Sequence, residues 1–313
     1  MVRVPTSGPA PDPLIDLRRL SSRDRLLLSW LSEHFVLTTD QIGAALFPSL
    51  RAAQRRLTVL HRIGAVSRFQ FPRTDTDPGS GAYRYTLGPL GVHLHPTAYT
   101  DPDNPNPKAP RTHLERRARI IRSPRLGHLL GVNQFFIDLI AHTRSHPGAH
   151  LVRWWSEQHA TAAYSRGKGG IHPDAHGVFT VAGAEVGFFL EFDNATSDIA
   201  CVIKKLPAYE RLATDGGPRF PVLLWVPDRR REAHLLRLLT GVPTKMPVAT
   251  AVHSNDPAGP IWALPGDPGP RLHLHELPSQ HARTGPGSAA GIHHHDYHHD
   301  EDQDDGGVPP SET

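Results

Sequence analysis

Apolar residues near the start of the chain recur with the spacing of short helices. Ser21 and Asp24 in SSRD have the spacing of a capping box and precede a run with apolar residues on one side. Thr38 and Gln41 repeat this spacing before a second short helix. A third helix is predicted after Pro48, because its apolar positions follow the i, i+3, i+7 pattern. Basic residues occupy its remaining surface, and they are Arg51, Arg55, Arg56 and Arg62.

Two alternating segments, VSRFQF and AYRYTL, follow these helices and are separated by the turn-rich RTDTDPGSG. Three helices, of which the last is basic, followed by a hairpin is the order of a winged helix-turn-helix, whose third helix enters the DNA major groove. We therefore expect double-stranded DNA as a partner. A solvated arginine face, or a winged helix used for protein contacts, is the alternative. The candidate DNA-binding residues are Arg51, Arg55, Arg56, Arg62, Arg68 and Arg84.

From Leu126 the pattern changes to an alternation of helices and strands. LLGVNQFFIDLIAHTR predicts a helix, HLVRWW a strand, and GVFTVAG with EVGFFLEF a hairpin that turns at Gly183. SDIACVIKKLPAYERLA predicts a helix that Pro207 can kink. Three further elements are predicted after it: the strand FPVLLWV, the helix RREAHLLRLL and the strand PVATAV. The predicted fold class is therefore α+β and multidomain, with an N-terminal winged helix-turn-helix and a C-terminal α/β domain built on a mixed central sheet.

Proline content and charge divide the chain into five regions. We predict a disordered leader at 1–19, the winged-helix domain at 20–95, a linker with five prolines at 96–112, the second domain at 113–283, and a disordered tail rich in His and acid at 284–313.

Charge is divided unevenly along the chain. Residues 1–125 hold 19 Lys and Arg against 10 Asp and Glu, whereas residues 126–313 hold 15 against 21. The first part is therefore the candidate for binding a polyanion, although a GC-rich genome also favours arginine. No stretch approaches about 18 consecutive apolar residues, and the first residues lack the apolar centre of a signal peptide. We expect a cytoplasmic protein without membrane association, and a packed, inert thiol at the single Cys201.

Acidic residues of the second domain lie at predicted strand ends. Asp174 precedes the hairpin, Glu191 ends its second strand, Asp193 follows two residues later, and Glu157 follows the first strand. Carboxylates that converge on one sheet edge can hold Mg²⁺ or Mn²⁺, which would polarise a phosphodiester and activate a water. Because successive side chains of a strand alternate between its two faces, Glu191 and Asp193 point to the same face. The alternative is that these acids cap turns and form surface salt bridges. The candidate metal ligands are Asp174, Glu191 and Asp193.

The segments WWSE, HPDA, FFLEFDNAT, KKLPAYE and FPVLLWVPDRRRE, after a winged-helix-like half and HLLGVNQFFIDL, resemble the actinobacterial replication-relaxation family, which is associated with plasmids and other mobile elements. The resemblance covers roughly residues 20–255. The second half is also similar to the PD-(D/E)xK, or restriction-endonuclease-like, fold in its element order and in the placement of Pro173, Asp174 and Glu191. This resemblance implies Asp174 and Glu191 as ligands of Mg²⁺ or Mn²⁺ and Glu157 as an additional acid.

The chain departs from that nuclease motif at one position. In the motif, a Lys follows two residues after the acid that corresponds to Glu191, whereas this chain has Asp193 at that position. Lys204 or Lys205 on the following helix can supply the basic residue instead. Lys205 and Tyr209 have the spacing of the QxxxY element of recombination-type exonucleases, with Lys in place of Gln. The candidate catalytic residues are Asp174, Glu191, Lys205 and Glu157.

Three functional hypotheses follow. The first is a DNA-binding protein of plasmid or mobile-element replication or relaxation, with a metal-dependent nuclease or nickase as its second domain. The second is a transcriptional regulator whose second domain senses a signal or forms a homodimer. The third is an adaptor, with an inactive nuclease-like domain, that recruits a relaxase or a replication initiator. For DNA binding, we expect Arg51→Ala with Arg55→Ala to lower affinity about tenfold or more, and Arg230→Ala to leave it unchanged.

Overall fold

The computed structural model describes residues 18–71, 81–96, 112–165, 170–195 and 199–281. The predicted tail and nearly all of the predicted leader, wing tip and linker lie outside these residues. The first part of the chain forms α1 (Ser22–Glu33), β1 (Leu37–Thr38), α2 (Thr39–Leu46), α3 (Leu50–Arg62), β2 (Val66–Phe69), β3 (Arg84–Leu87), α4 (Pro89–Leu94) and α5 (His113–Arg122).

Both predicted helix caps are confirmed. Ser21 Oγ accepts a hydrogen bond from Asp24 N at 3.2 Å, and the Asp24 carboxylate accepts one from Ser21 N at 2.8 Å. Thr38 and Gln41 form the same reciprocal pair. Between these helices, β1 pairs with β3 in a three-stranded sheet of order β1-β3-β2. This strand was not predicted, because two residues are too few to show alternation.

Arg116 ties α5 to the first part of the chain. Its side chain is only 2% exposed, and its guanidinium donates to Thr86 Oγ1 at 2.8 Å and to Leu31 O at 3.1 Å. The predicted domain boundary before residue 113 therefore precedes a helix that is bonded to α1 and β3. Arg116 thus has a structural role in joining α5 to these two elements.

The second part of the chain builds a five-stranded mixed sheet. Its elements are α6 (Leu126–Ser145), β4 (Ala149–Ser156), α7 (Glu157–Tyr164), β5 (Ala175–Val181), β6 (Ala184–Phe192), α8 (Ile199–Ile203), α9 (Leu206–Thr214), β7 (Val222–Val226), α10 (Arg229–Thr240), β8 (Val248–Val252) and a 3₁₀ turn (Leu274–Glu276). The strand order is β4-β5-β6-β7-β8, antiparallel as far as β6 and parallel from β6 to β8. The predicted α+β class with a mixed central sheet is confirmed.

Helices cover both faces of this sheet. On one face, Phe135 of α6 contacts Phe188 and Trp225, with ring centroids 5.8 and 5.1 Å apart. On the other face, Phe189 packs in a core with buried residues of α9 and α10. Neighbouring residues of β6 thus face opposite layers, as the two-residue period of a strand requires.

Helix α6 also forms hydrogen bonds with the first part of the chain. Gln41 donates to a carbonyl of α6 at 3.0 Å. In the other direction, Asn133 donates to two carbonyls just after α1, and Arg144 donates to two carbonyls near the end of α2. Buried apolar residues of both parts also belong to one continuous core. The DNA-binding candidate α3 and the large sheet are therefore held in a fixed relation.

Two expectations about the segment after β6 were wrong. The single predicted helix consists of two, α8 and α9, because Pro207 in the first turn of α9 lacks an N–H and cannot continue the preceding helix. Cys201 is exposed rather than packed. None of the helices in the described part of the chain has the length and apolar character needed to cross a bilayer.

Candidate active site

The strand register brings Asp174 and Glu191 together at the end of β6. Ala175 lies opposite Leu190, so Asp174 lies across from Glu191. Asp174 N donates to Leu190 O at 3.0 Å, and Asp174 Oδ2 accepts from Phe192 N at 2.8 Å. These bonds hold the Asp174 carboxylate at the sheet edge, next to the Glu191 side chain, which is only 4% exposed.

Lys205 and Tyr209 both bind the Glu191 carboxylate. Lys205 Nζ donates to Oε2 at 2.5 Å, and the Tyr209 hydroxyl donates to Oε1 at 2.6 Å. Lys205 is the N-cap of α9 and Tyr209 lies four residues later, so both side chains reach the same side of the helix. The break before α9 therefore does not remove Lys205 from the site. Tyr209 was noted in the sequence for its spacing but was not among the predicted catalytic residues.

Burial and neighbouring charge set the ionisation of this site. Burial and the charge of Asp174 raise the pKa of Glu191 to about 7, although Lys205 and Tyr209 act in the opposite direction. Burial also disfavours the ionised form of Asp174, but the contact with His128 and the charge of Lys205 outweigh it and lower the Asp174 pKa. The Lys205 pKa is raised by the two carboxylates against the effect of burial. Lys205 thus stays charged, and as the pH is lowered Glu191 takes up a proton before Asp174 does.

His128 of α6 is a site residue that the sequence analysis missed. Its Nε2 lies 3.1 Å from Asp174 Oδ1, and its ring meets Phe192 edge-on at 5.4 Å. Gly131, one turn further along α6, permits this close packing, because a Cβ there would lie 2.1 Å from the Phe192 ring. His128 and Asp174 are far apart in sequence, so no local pattern marks their contact.

The other two predicted acids are held by arginines. Asp193 is 8% exposed, and the Arg231 guanidinium donates to both of its carboxylate oxygens. Glu157 Oε2 accepts from Arg125 Nη2 at 2.7 Å. The structure therefore brings Asp174, Glu191 and Lys205 together, while Asp193 and Glu157 lie nearby in ion pairs of their own.

A pair of carboxylates fits a hard divalent cation. Mg²⁺ prefers oxygen ligands and is often bound by one or two carboxylates together with waters and substrate phosphates. Asp174 and Glu191 supply such a pair. In the described ranges, no group of three His, Cys, Asp or Glu side chains is arranged to hold a metal ion. A cation bound to this pair would therefore keep positions open for water and for substrate oxygens.

A cleft between the two parts of the chain reaches the Asp174 side of this site. Residues of both parts line it, including His34, Phe35, Arg125, His128, Glu157 and Asp174. Phe35 has a φ of 66°, which is costly for a bulky residue and is held by the surrounding packing.

The predicted arginines of α3 differ in their surroundings. Arg51, Arg55 and Arg62 are exposed, and their spacing of four and seven residues places them along one side of α3. We call these three residues the α3 stripe. Arg56 instead donates through Nε to Asp24 Oδ1 at 2.9 Å and fastens α3 to α1.

The two predicted arginines of the hairpin pack on aromatic rings. The Arg68 guanidinium lies 4.2 Å from the Tyr83 ring centroid. Arg84 is buried, and its guanidinium lies 5.0 Å from the Phe71 ring centroid. Arg84 therefore does not extend the exposed basic surface of α3.

The chain was compared with known protein families, curated proteins and solved structures. A model of the replication-relaxation family matches residues 28–221, more than half of the 313 residues. The matched region includes the α3 stripe and the whole of the site from His128 to Tyr209. No curated protein and no solved structure matches the chain.

Proposed function

The chain belongs to the replication-relaxation family, and from this membership we propose that it binds duplex DNA through α3 and cuts or nicks it at the Asp174–Glu191–Lys205 centre. The family itself links the chain to the replication or relaxation of plasmids and other mobile elements. The proposal adds a substrate, a binding surface and a reaction to that general role.

The observation that carries the proposal is the meeting of two carboxylates and a lysine at the end of β6. Lys205 Nζ bonds to Glu191, and Asp174 lies across from Glu191 in the strand register. A half-buried lysine beside paired carboxylates suits phosphodiester hydrolysis, because it combines oxygen ligands for a cation with a positive group that stabilises the charge of the transition state.

Each residue of the centre has a separate role in this proposal. Asp174 and Glu191 would hold Mg²⁺ or Mn²⁺, and the bound ion would polarise the phosphodiester and activate a water. Lys205 orients the water and offsets the negative charge that develops on the phosphate oxygens. Tyr209 positions the Glu191 carboxylate through the bond to Oε1. His128 keeps the Asp174 carboxylate in place.

The arrangement of the first part of the chain supports DNA as the substrate. Its order of helix, strand, helix, helix and two strands supports the proposal of a winged helix-turn-helix. Its third helix, α3, presents the α3 stripe to solvent. Arginine guanidinium groups match phosphate oxygens and guanine edges in geometry.

A second candidate function is that of a regulator or adaptor with an inactive nuclease-like domain. The observation that favours it is the ion pair between Arg231 and Asp193, which neutralises the acid at the position where the motif has Lys. In that role the second part of the chain would recruit a relaxase or a replication initiator, or form a homodimer.

Incubation of the full chain with supercoiled and linear DNA, with Mg²⁺, Mn²⁺ or a chelator, separates the two candidates. The proposed function predicts nicked or linear product with a metal ion and none with the chelator. Lys205→Ala is expected to remove the product, whereas Lys204→Ala, at the exposed neighbouring position, is expected to retain it. If DNA is bound but stays intact under every condition, the regulator or adaptor is favoured.

A further inference from the structure

Helix α10 presents a basic face to solvent. Leu235 and Leu239 point into the core, whereas Arg229, Arg230 and Arg237 are exposed. Arg230 and Arg237 are seven residues apart and so lie on one side of the helix, with Arg229 beside them. We call these three arginines the α10 basic face. It lies beyond the region matched by the family model.

The fourth arginine of α10 braces this helix against the candidate active site. Arg231 turns inward and binds both carboxylate oxygens of Asp193. Asp193 follows Glu191 by two residues, and Asp193 N donates to the carbonyl of Trp225 in the neighbouring strand at 2.9 Å. The start of α10 is therefore held at the same end of the sheet as the centre.

The fold topology gives the same placement. Strands β6 and β7 are parallel, with Glu191 in register with Leu224. Helix α10 begins at Arg229, three residues after β7 ends at Val226. Because the carboxyl ends of parallel strands meet at one edge of a sheet, α10 starts beside the carboxylates at the end of β6.

The positions of Arg229 and Arg230 do not favour the stability of the helix. Both lie in its first turn, where positive charge opposes the helix dipole. Within the described residues, the side chain of neither arginine has a hydrogen bond or an ion pair. Their positive charge is therefore available to an external anion.

We infer that the α10 basic face holds the phosphate backbone of the DNA beside the Asp174–Glu191–Lys205 centre. This inference rests on the proposed function and adds a second DNA contact surface, separate from the α3 stripe. Guanidinium groups suit phosphate oxygens, and a convex helix face lined by arginines binds a backbone without regard to base sequence. The sequence analysis expects Arg230→Ala to leave DNA binding unchanged. In this inference, Arg230 instead contacts the phosphate backbone of the DNA.

The test is a salt series of DNA binding by the full chain and by Arg229→Ala/Arg230→Ala/Arg237→Ala, on a duplex of arbitrary sequence. Each lost phosphate contact makes the slope of log K against log salt less steep by about 0.9, so the triple variant is expected to lose about 2 to 3 in slope. Its affinity is expected to fall about tenfold or more at low salt. Lys245→Ala is the matched control, because Lys245 is exposed but precedes β8 at the opposite edge of the sheet.

Three outcomes are informative. A lowered slope in the triple variant, with Lys245→Ala like the parent, supports the inference. Equal affinity and slope in parent and triple variant overturn it and leave the proposed function intact. A parent chain that binds no DNA overturns both. Should the melting temperature of the triple variant fall, Arg230→Gln alone is used, with an expected change in slope of about 0.9.

Discussion

The α3 stripe and the Asp174–Glu191–Lys205 centre use charge in opposite ways. The three arginines of the stripe are exposed to solvent. In the centre, Glu191 is buried and is bound by both Lys205 and Tyr209. Exposed charges act through a field that salt screens, and each one contributes little to folding. Buried charges act through specific contacts, and the loss of a partner is costly.

This difference teaches where substitutions should affect stability and where they should affect only binding. Changes in the stripe are expected to alter DNA affinity and its salt dependence while the fold stays intact. Changes in the buried site are expected to alter the free energy of unfolding and the pKa values of neighbouring groups. The following predictions test this division, in order of decreasing expected effect on stability.

The largest effect is expected from acid acting on buried histidines. Burial lowers the pKa of His176 to about 3 and the pKa of His34 to about 4. Below pH 6.5 the unfolded chain binds protons at these residues that the folded chain does not bind, so the contribution of the two histidines to stability is present above pH 6.5 and is lost as the pH is lowered. Between pH 6.5 and 4.5, His176 alone should lower the free energy of unfolding by about 2 kcal/mol.

Urea denaturation at several pH values measures this loss. His176→Gln is expected to flatten the pH dependence by about one proton, whereas His234→Gln, at an exposed position of α10, is expected to leave it as in the parent. If the parent and His176→Gln show the same pH dependence of the unfolding free energy, the burial of the His176 ring is contradicted.

The next effect is a contrast between two glycines of α6. A Cβ at Gly131 would lie 2.1 Å from the Phe192 ring, whereas a Cβ at Gly127 meets nothing within 4 Å. Gly131→Ala is therefore expected to destabilise by about 1–3 kcal/mol through overpacking. Gly127→Ala is expected to stabilise by up to about 1 kcal/mol, because alanine favours a helix. Thermal denaturation compares the two, and equal shifts would rule out the close packing beside His128.

A smaller loss is expected from Tyr209→Phe. This change removes the donor to Glu191 Oε1 and leaves that buried oxygen without its bond, at a cost of about 1–2 kcal/mol. The pKa of Glu191 should rise further, because the Tyr209 hydroxyl stabilises the ionised form. Chemical denaturation measures the loss, with Lys204→Ala as the exposed control. If Tyr209→Phe is as stable as the parent, the bond has no part in holding Glu191.

The smallest effect on stability is expected in the α3 stripe. Arg51→Ala with Arg55→Ala should change the free energy of unfolding by less than about 0.5 kcal/mol, because both side chains are exposed. DNA affinity should nevertheless fall about tenfold or more, with a shallower salt dependence. A fluorescence anisotropy titration and a denaturation curve on the same variant compare the two effects. A variant that binds like the parent would exclude α3 as the DNA-reading helix.

Local patterns predicted much of the fold. The capping boxes of Ser21 and Thr38, the hairpin turn at Gly183 and the alternation of β6 each depend on neighbours within a few residues. Strand β1 and the division of the α8–α9 segment were missed. The first is too short to show a period, and the second depends on where Pro207 ends the preceding turn.

The candidate site was predictable only where strand register and spacing define it. Asp174 and Glu191 are paired by the hairpin, and Lys205 and Tyr209 are linked by their four-residue spacing. The contact of His128 with Asp174 joins distant segments through the packing of α6, and no local pattern encodes it. No local pattern encodes the contact of Arg231 with Asp193 either, and this contact fixes the start of α10 next to the end of β6.

Calorimetric titration of Mn²⁺ into the full chain tests the central claim, a metal-binding carboxylate pair, most directly. The parent is compared with Asp174→Asn and Glu191→Gln, which preserve side-chain size, so that heat from the His-rich tail cancels in the difference. The account predicts one Mn²⁺ site in the parent that is lost in both variants, and a stabilisation of the parent of about 1.4 kcal/mol at ten times Kd. Identical heats in all three proteins would contradict it, because Asp174 and Glu191 would then not bind a metal ion.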